Sequence, residues 1–367
     1  MKKKRKSIFD IKTIKFRESI KITQGERRHL LIGNGFSISL FHNIFSYKSL
    51  LETADLTKYP QIEKAFDVLK TTNFEFVIQA LRFSSALLPL YVEDKNAKKV
   101  MREHIEVLKE LLVKTIADSH PNLPSEIDEK QYSSCRKFLK HFIGANKKNE
   151  NKVGQVYTLN YDLLLYWTLL HEERKENEKE RELICDDGFR TPEEDLESEY
   201  VTWEGESNYK QNIHYIHGAL HLFDNGPNLE KCCWERSGGI PLVKQIRNAL
   251  ENEKYPLFVS EGDSRSKLTR IRHYGYLQRS LKSFSNIDNN LFVFGFSFTK
   301  NDEHILRKIE TGKIKKLFVS LYGDPQEDNN QNIIKRVFAI KEARPPRKPL
   351  DVFFFDAKSV NLWGKDR

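Results

Sequence analysis

Leu30-Leu31-Ile32-Gly33-Asn34-Gly35-Phe36-Ser37-Ile38-Ser39 is the stretch on which the fold turns. A short apolar run reads as a buried strand that stops at Gly33, with Gly35 two residues on and a helical pattern from Ser37. A strand that breaks at glycines and feeds a helix is a common receiver of phosphate. The glycines let the backbone come close, and free N–H groups with the helix dipole favour negative charge. Gly-x-Gly equally describes a plain tight strand–helix turn, so the other strand ends must decide between the two.

Those ends are polar. Gln155–Asn160 reads as a strand ending in Asn160-Tyr161-Asp162, followed by an apolar helix from Leu163 to Leu170. Ile213–Ile216 delivers His217-Gly218-Ala219-Leu220-His221, and Leu291–Phe294 ends at Gly295-Phe296-Ser297. Lys316–Leu321 ends at Tyr322-Gly323-Asp324, a last strand covers Asp351–Phe355, and Leu257–Ser260 suggests a further one. Short apolar strands alternating with helices imply a doubly wound α/β fold, a mostly parallel Rossmann-like sheet with helices on both faces. Ligands bind such sheets beyond the carboxyl ends of the strands, where these polar residues converge.

The chain divides into a basic segment (1–28), a core domain (29–54 and 149–367) and a helical insertion (55–148) with apolar residues at spacings of three and four. A second, mostly helical insertion is expected at 225–285, and a charged, solvent-exposed excursion from Glu172 to Glu199. With 24 Phe and 14 Tyr among 367 residues the chain can bury a large core, and no apolar run is long enough to span a bilayer. No membrane association and a cytoplasmic location are therefore expected. The net charge of +9 permits nucleic-acid binding, but much of the excess lies in the first 28 residues and at Arg344–Lys348, which read as solvated ends. Four cysteines without C-x-x-C spacing offer no zinc ribbon.

The order of strand ends resembles the sirtuin-like NAD-binding fold. Gly33-Asn34-Gly35-Phe36-Ser37 is similar to that family's Gly-Ala-Gly-x-Ser, and Thr158-Leu159-Asn160-Tyr161-Asp162 to its Thr-Gln-Asn-x-Asp. His217-Gly218 matches the family's His-Gly, and Gly295-Phe296-Ser297 its Gly-Thr-Ser strand end. The His-Gly-Ala-Leu-His-Leu-Phe stretch at 217–223 resembles bacterial sirtuin-like proteins that act in antiphage defence by destroying NAD. Two departures argue against protein deacylation: no paired cysteines follow the His-Gly, and residues 38–45 lack the Pro-x-Phe-Arg of the flexible cofactor loop.

The resemblance implies an NAD⁺ glycohydrolase that cleaves the nicotinamide–ribose bond, with NAD as substrate, in abortive-infection defence. Asn160 would hold the ribose hydroxyls or the water, its alternative being a helix cap. Asp162 would fix the carboxamide or orient Asn160, or else complement the helix dipole. His217 would be the general base, since imidazole titrates near neutrality, with His214 and His221 as rivals. Gly33, Asn34, Gly35, Phe36, Ser37 and Thr158 would meet the pyrophosphate side, Gly295 and Ser297 the adenosine ribose, and Tyr322 and Asp324 the adenine end. Asp302 is either a helix cap or a ligand contact. No metal is expected, because His214, His217 and His221 find no carboxylate or cysteine at ligand spacing. An activating partner protein or phage component, and self-association, fit an enzyme that must be silent at rest. The alternatives are a sensor that holds NAD or ADP-ribose without cleaving it, and a nucleic-acid-associated regulatory subunit.

Overall fold

The computed structural model describes residues 9–92, 94–144, 153–173, 182–203, 205, 210–226, 228–233 and 239–364. Residues 145–152, residues 174–181 of the charged excursion, and the first eight residues of the basic segment lie outside this set.

In chain order the strands are β1 (Arg28–Ile32), β2 (Val156–Thr158), β3 (Phe189–Arg190), β4 (Tyr200–Trp203), β5 (Ile213–Tyr215), β6 (Gly218–Asn225), β7 (Asn228–Cys232), β8 (Pro256–Phe258), β9 (Asp288–Phe294), β10 (Lys313–Leu321) and β11 (Asp351–Asp356). Six of them form one sheet in the order β11-β10-β9-β1-β2-β5, with every pairing parallel. Read from the β5 edge and counted along the chain, these stand third, second, first, fourth, fifth and sixth, which is the strand order of dinucleotide-binding sheets. The α/β, doubly wound fold expected from the sequence is the fold observed. The order reverses between β1 and β9, so the crevice lies at the carboxyl ends of those two strands.

The sheet is parallel because the central strands are apolar and buried on both faces over their carboxyl halves. Leu30, Leu31, Ile32, Leu291 and Val293 have no exposed surface. Phe292, Phe318 and Phe353 stack across β9, β10 and β11 with ring centroids 4.4 and 4.8 Å apart. The basic N-terminal segment is partly structural: Ile14 pairs with the β11 edge, and Phe16 packs on Phe138, Phe292 and Phe355. Arg344, expected in a solvated end, is buried instead and donates to the carbonyls of Ile309 and Ile314 at 2.7 Å each. Among the described residues no helix is long and apolar enough to cross a membrane.

A second, five-stranded sheet in the order β3-β4-β7-β6-β8 was not anticipated. Its pairings are antiparallel. The segment 225–285 therefore contributes β7 and β8 as well as helices Leu242–Glu251, Ser264–His273 and Gly275–Asn286. The two sheets meet at His217. It follows β5 by two residues, and Gly218, at φ +80°, opens β6 directly after it.

Between residues 55 and 148 the chain forms helices, among them Pro60–Val68, Phe74–Leu87, Lys95–Ser119 and Glu129–Ile143. The helix Phe74–Leu87 has a consequence for the site, because its Glu75 is buried.

At the crevice the two glycine turns touch. A Cβ on Gly35 would lie 2.6 Å from the Gly295 Cα, and one on Gly33 would lie 2.7 Å from the Gly295 carbonyl oxygen. Gly295 itself has φ +69°, and its own Cβ would meet Gly35 Cα at 2.7 Å. Gly295→Ala should therefore lower unfolding stability by at least about 1–3 kcal/mol from backbone strain alone. Urea denaturation checks this, and a wild-type midpoint would contradict the packing described.

Candidate functional site

The register aligns the sheet's polar ends. Ile32 pairs with Thr158 and with Phe294, and Thr158 pairs with Tyr215. Gly33 and Gly295 thus stand one residue past their register partners, and Asn160 and His217 two residues past theirs.

Between β1 and β2 the side chains form one hydrogen-bonded chain. Asn160 Nδ2 donates to Ser37 Oγ at 2.9 Å, and Ser37 Oγ donates to Asp162 Oδ2 at 2.5 Å. The other Asp162 oxygen accepts from the Leu164 N–H at 3.0 Å, and the Asn160 N–H donates to Thr158 Oγ1 at 3.1 Å. Asp162, not Asn160, therefore takes the first N–H of the helix Leu164–Glu173, and the Asn160 amide is held by Ser37. All four side chains are buried. Burial pushes the Asp162 carboxyl above its ordinary range, against the hydrogen bond from Ser37.

The glycine turn has a use other than the one expected. The Gly35 N–H donates to the Gly295 carbonyl at 2.8 Å, Phe36 N–H to Gly33, and Ser37 N–H to Asn34. Asn34 turns its amide to the Phe45 carbonyl, and Trp363 Nε1 donates to the Phe36 carbonyl. The helix that follows is only Gly35–Ile38. These N–H groups are satisfied within the protein, so the turn is not an open pyrophosphate cradle; the glycines permit turn-on-turn packing.

A second polar cluster gathers around His217. Its Nε2 lies 2.9 Å from Nε2 of His304 and 3.9 Å from Oδ1 of Asp302. His304 Nδ1 lies 3.2 Å from Ser264 Oγ, which also accepts the His304 backbone N–H at 2.7 Å. Asp302 precedes the helix Glu303–Thr311 but does not cap it with its side chain. It pairs with Lys267, whose Nζ is 3.0 Å from Asp302 Oδ1 and 2.8 Å from Glu75 Oε2. Tyr161, next to Asn160, places its hydroxyl 2.6 Å from the Val259 carbonyl and 3.4 Å from Glu75 Oε1. The helical insertion thus delivers a carboxylate beside the crevice.

Lys267 is fully buried and stays cationic, because Asp302 and Glu75 raise its pKa against the cost of burial. Burial pushes His304 down to about 4, and His217 well below the ordinary imidazole value with Lys267 adding to the effect. Both rings are neutral at pH 7. At 2.9 Å one Nε2 carries the proton that the other accepts.

The rival histidines have other surroundings. His214 stacks on Tyr157 and bonds Gln155 through Nε2, while His221 lies between the rings of Tyr166 and Tyr215. Ser297, Tyr322 and Asp324 are exposed at the other side of the crevice. There Asp324 accepts the Gln326 N–H as a turn former, and Lys358 lies over the Tyr322 ring.

Glu75, Ser264, Lys267 and His304 escaped the sequence reading. Lys267 sits four residues before buried Ile271 and Glu75 three before buried Ile78, so each places a charge on a core stripe. That conflict is the signal that would have found them.

A family profile described as "Domain of unknown function (DUF4917)" matches residues 30–363, from β1 to the tryptophan that bonds the Phe36 carbonyl. No curated protein matches the chain.

Lys267→Met leaves Glu75 and Asp302 buried without their cation, and it should lower stability by about 3–5 kcal/mol. Lys48→Ala, which removes an exposed pair with Glu52, should leave the urea midpoint nearly unchanged and serves as the control. Acid should also weaken the fold. Burial holds His29, His120 and His304 at about 4, His214 at about 3, and His217 and His221 well below 6.5. Below about 6.5 the unfolded chain binds protons that the folded chain refuses, so each histidine removes about 1.4 kcal/mol per pH unit down to its folded pKa. The raised carboxyls of Glu75, Asp162 and Glu261 act in the opposite sense but are fewer. The urea midpoint should fall between pH 7.5 and pH 5.5; a rise would contradict the neutral buried histidines.

Proposed function

The chain belongs to the DUF4917 family, and we propose that it is an NAD⁺ glycohydrolase whose reaction centre is the carboxyl edge of β1, β2 and β5. The observation that carries this reading is the Asn160–Ser37–Asp162 hydrogen-bond chain beside the switch point, with His217 two residues past the neighbouring strand. A buried amide fixed by a hydroxyl suits the recognition of ribose hydroxyls, since it both donates and accepts. The resemblance of these strand ends to sirtuin-like proteins supports NAD as the nucleotide.

In the proposed reaction the bond between the nicotinamide nitrogen and ribose C1′ breaks, and its electron pair neutralises the pyridinium. Water adds to C1′ and gives a proton to His217, which is neutral and able to accept it. Asn160 holds the sugar through the oxocarbenium-like transition state, and the buried Asp162–Ser37 pair fixes the Asn160 amide. A pyrophosphate meeting the glycine turn would have to displace the Gly295 carbonyl from the Gly35 N–H, so closure of the two turns is a barrier to binding. That suits an enzyme activated by a partner or phage component, with NAD depletion as the antiphage outcome.

The test is nicotinamide release from NAD⁺ by the full chain, alone and with lysate of phage-infected cells. Asn160→Ala and His217→Ala should each lower the rate by about 10²–10⁴-fold. No release under either condition, or full activity in Asn160→Ala, would overturn the reading. Calorimetric binding of NAD that is recovered intact would replace it with the sensor.

A further inference from the structure

His217, His304 and Asp302 come from the β5 end and from the start of the helix Glu303–Thr311, 87 residues apart for the two histidines. Their ligand atoms all lie within 4.8 Å of one another, and among the described residues no other three His, Cys, Asp or Glu side chains converge in this way. Sequence spacing concealed the set, because the carboxylate missing near His214, His217 and His221 arrives from the far side of β9.

We propose that His217 Nε2, His304 Nε2 and Asp302 form a binding site for a divalent cation of the Zn²⁺ class. Two imidazoles with a carboxylate are a ligand set such ions take. Tetrahedral Zn²⁺ with metal–ligand bonds of about 2.0–2.2 Å separates its ligands by about 3.3 Å. The present separations of 2.9 Å for the imidazole pair and 3.9 Å for His217 to Asp302 bracket that value. Ser264 supplies the outer support: its Oγ has lone pairs for both the His304 N–H and Nδ1–H, which turns the Nε2 lone pair toward the ion. Lys267 stands beside Asp302, yet its ammonium is shared with Glu75, which lies 2.8 Å away on its other side. Each carboxylate oxygen has two lone pairs, so Asp302 Oδ1 can keep Lys267 and still reach the ion.

The site bears on the proposed reaction, and this consequence rests on the hydrolase reading. An ion on His217 Nε2 leaves that ring's single proton on Nδ1, so the ring cannot accept another. The bound metal is thus an off switch for the general base.

The full chain, stripped with EDTA, is titrated with Co²⁺ and followed by visible absorption, then competed with Zn²⁺. One equivalent should produce the d–d bands of a low-coordinate complex, and Zn²⁺ should abolish them. Ser264→Ala should weaken Co²⁺ binding by about 10–100-fold, and His304→Gln by more. Circular dichroism confirms that each variant is folded, and His273→Gln on the neighbouring helix is the control. If Asp302→Asn unfolds on releasing Lys267, the two other variants still decide. No cobalt spectrum, or equal binding by His304→Gln and wild type, overturns the site. Nicotinamide release is measured in parallel on the metal-free chain: cobalt binding with no NAD cleavage by the metal-free protein sinks only the hydrolase reading, and cleavage without cobalt binding sinks only the metal site. Cleavage that Zn²⁺ leaves undiminished removes the switch.

Discussion

The approach of the Gly33–Gly35 turn to the Gly295 turn sets the geometry of everything around it. Any side chain at Gly35 or Gly295 would collide with backbone 2.6–2.7 Å away, so β1 and β9 keep their ends in contact only while both positions are glycine. That contact holds the strand order's reversal point closed. It also aims Ser37 at Asn160 and Asp162 on one side, and leaves Ser297 and Tyr322 in solvent on the other. In most sheets of this order the same crevice admits a nucleotide against free N–H groups. Here a carbonyl of the protein occupies that position, hydrogen-bonded to the Gly35 N–H.

The second determinant is the buried cation. Lys267 lies between a carboxylate from the inserted helices and one from the edge of the parallel sheet. Placing such an ion in the interior is expensive unless both partners stay in place, which makes the arrangement stiff and specific. It fastens the insertion to the site: the helix Phe74–Leu87 cannot shift without moving Glu75, and Glu75 constrains Lys267, Asp302 and Tyr161. An insertion that reads as decoration is therefore mechanically continuous with the residues flanking Asn160 and His217.

The doubly wound sheet was legible because its signals are local. Runs such as Leu291–Phe294 are short, wholly apolar and stopped by glycine, and nothing else in the chain competes to use them. The convergence of Ser37, Asn160, Asp162 and His217 followed from the same rule, since strand ends in a parallel sheet share an edge. The antiparallel sheet was not legible. Its strands are brief, half polar and interrupted by charged segments, and β8 pairs with β6 across more than thirty residues. The outer half of the site escaped for a related reason: Glu75, Lys267 and His304 acquire meaning only through one another, and each sits on a helix whose periodicity names a face but not the neighbour it meets.

Asn160 and His217 end on different electrostatic sides of one edge. Asn160 belongs to a chain ending in a carboxyl whose pKa burial raises, whereas His217 belongs to a pair of neutral imidazoles beside a retained ammonium. Asn160 and His217 thus stand two residues beyond adjacent strands, both desolvated, one joined to an acid-leaning carboxyl and the other to a second imidazole. His217 is the vulnerable member of that pair. Its Nε2 already faces a second imidazole nitrogen at 2.9 Å, so whatever occupies the space between them, a proton or a cation, decides whether the ring can act as a base. That interatomic gap lies beside the β5–β6 junction, with Ser264 behind His304.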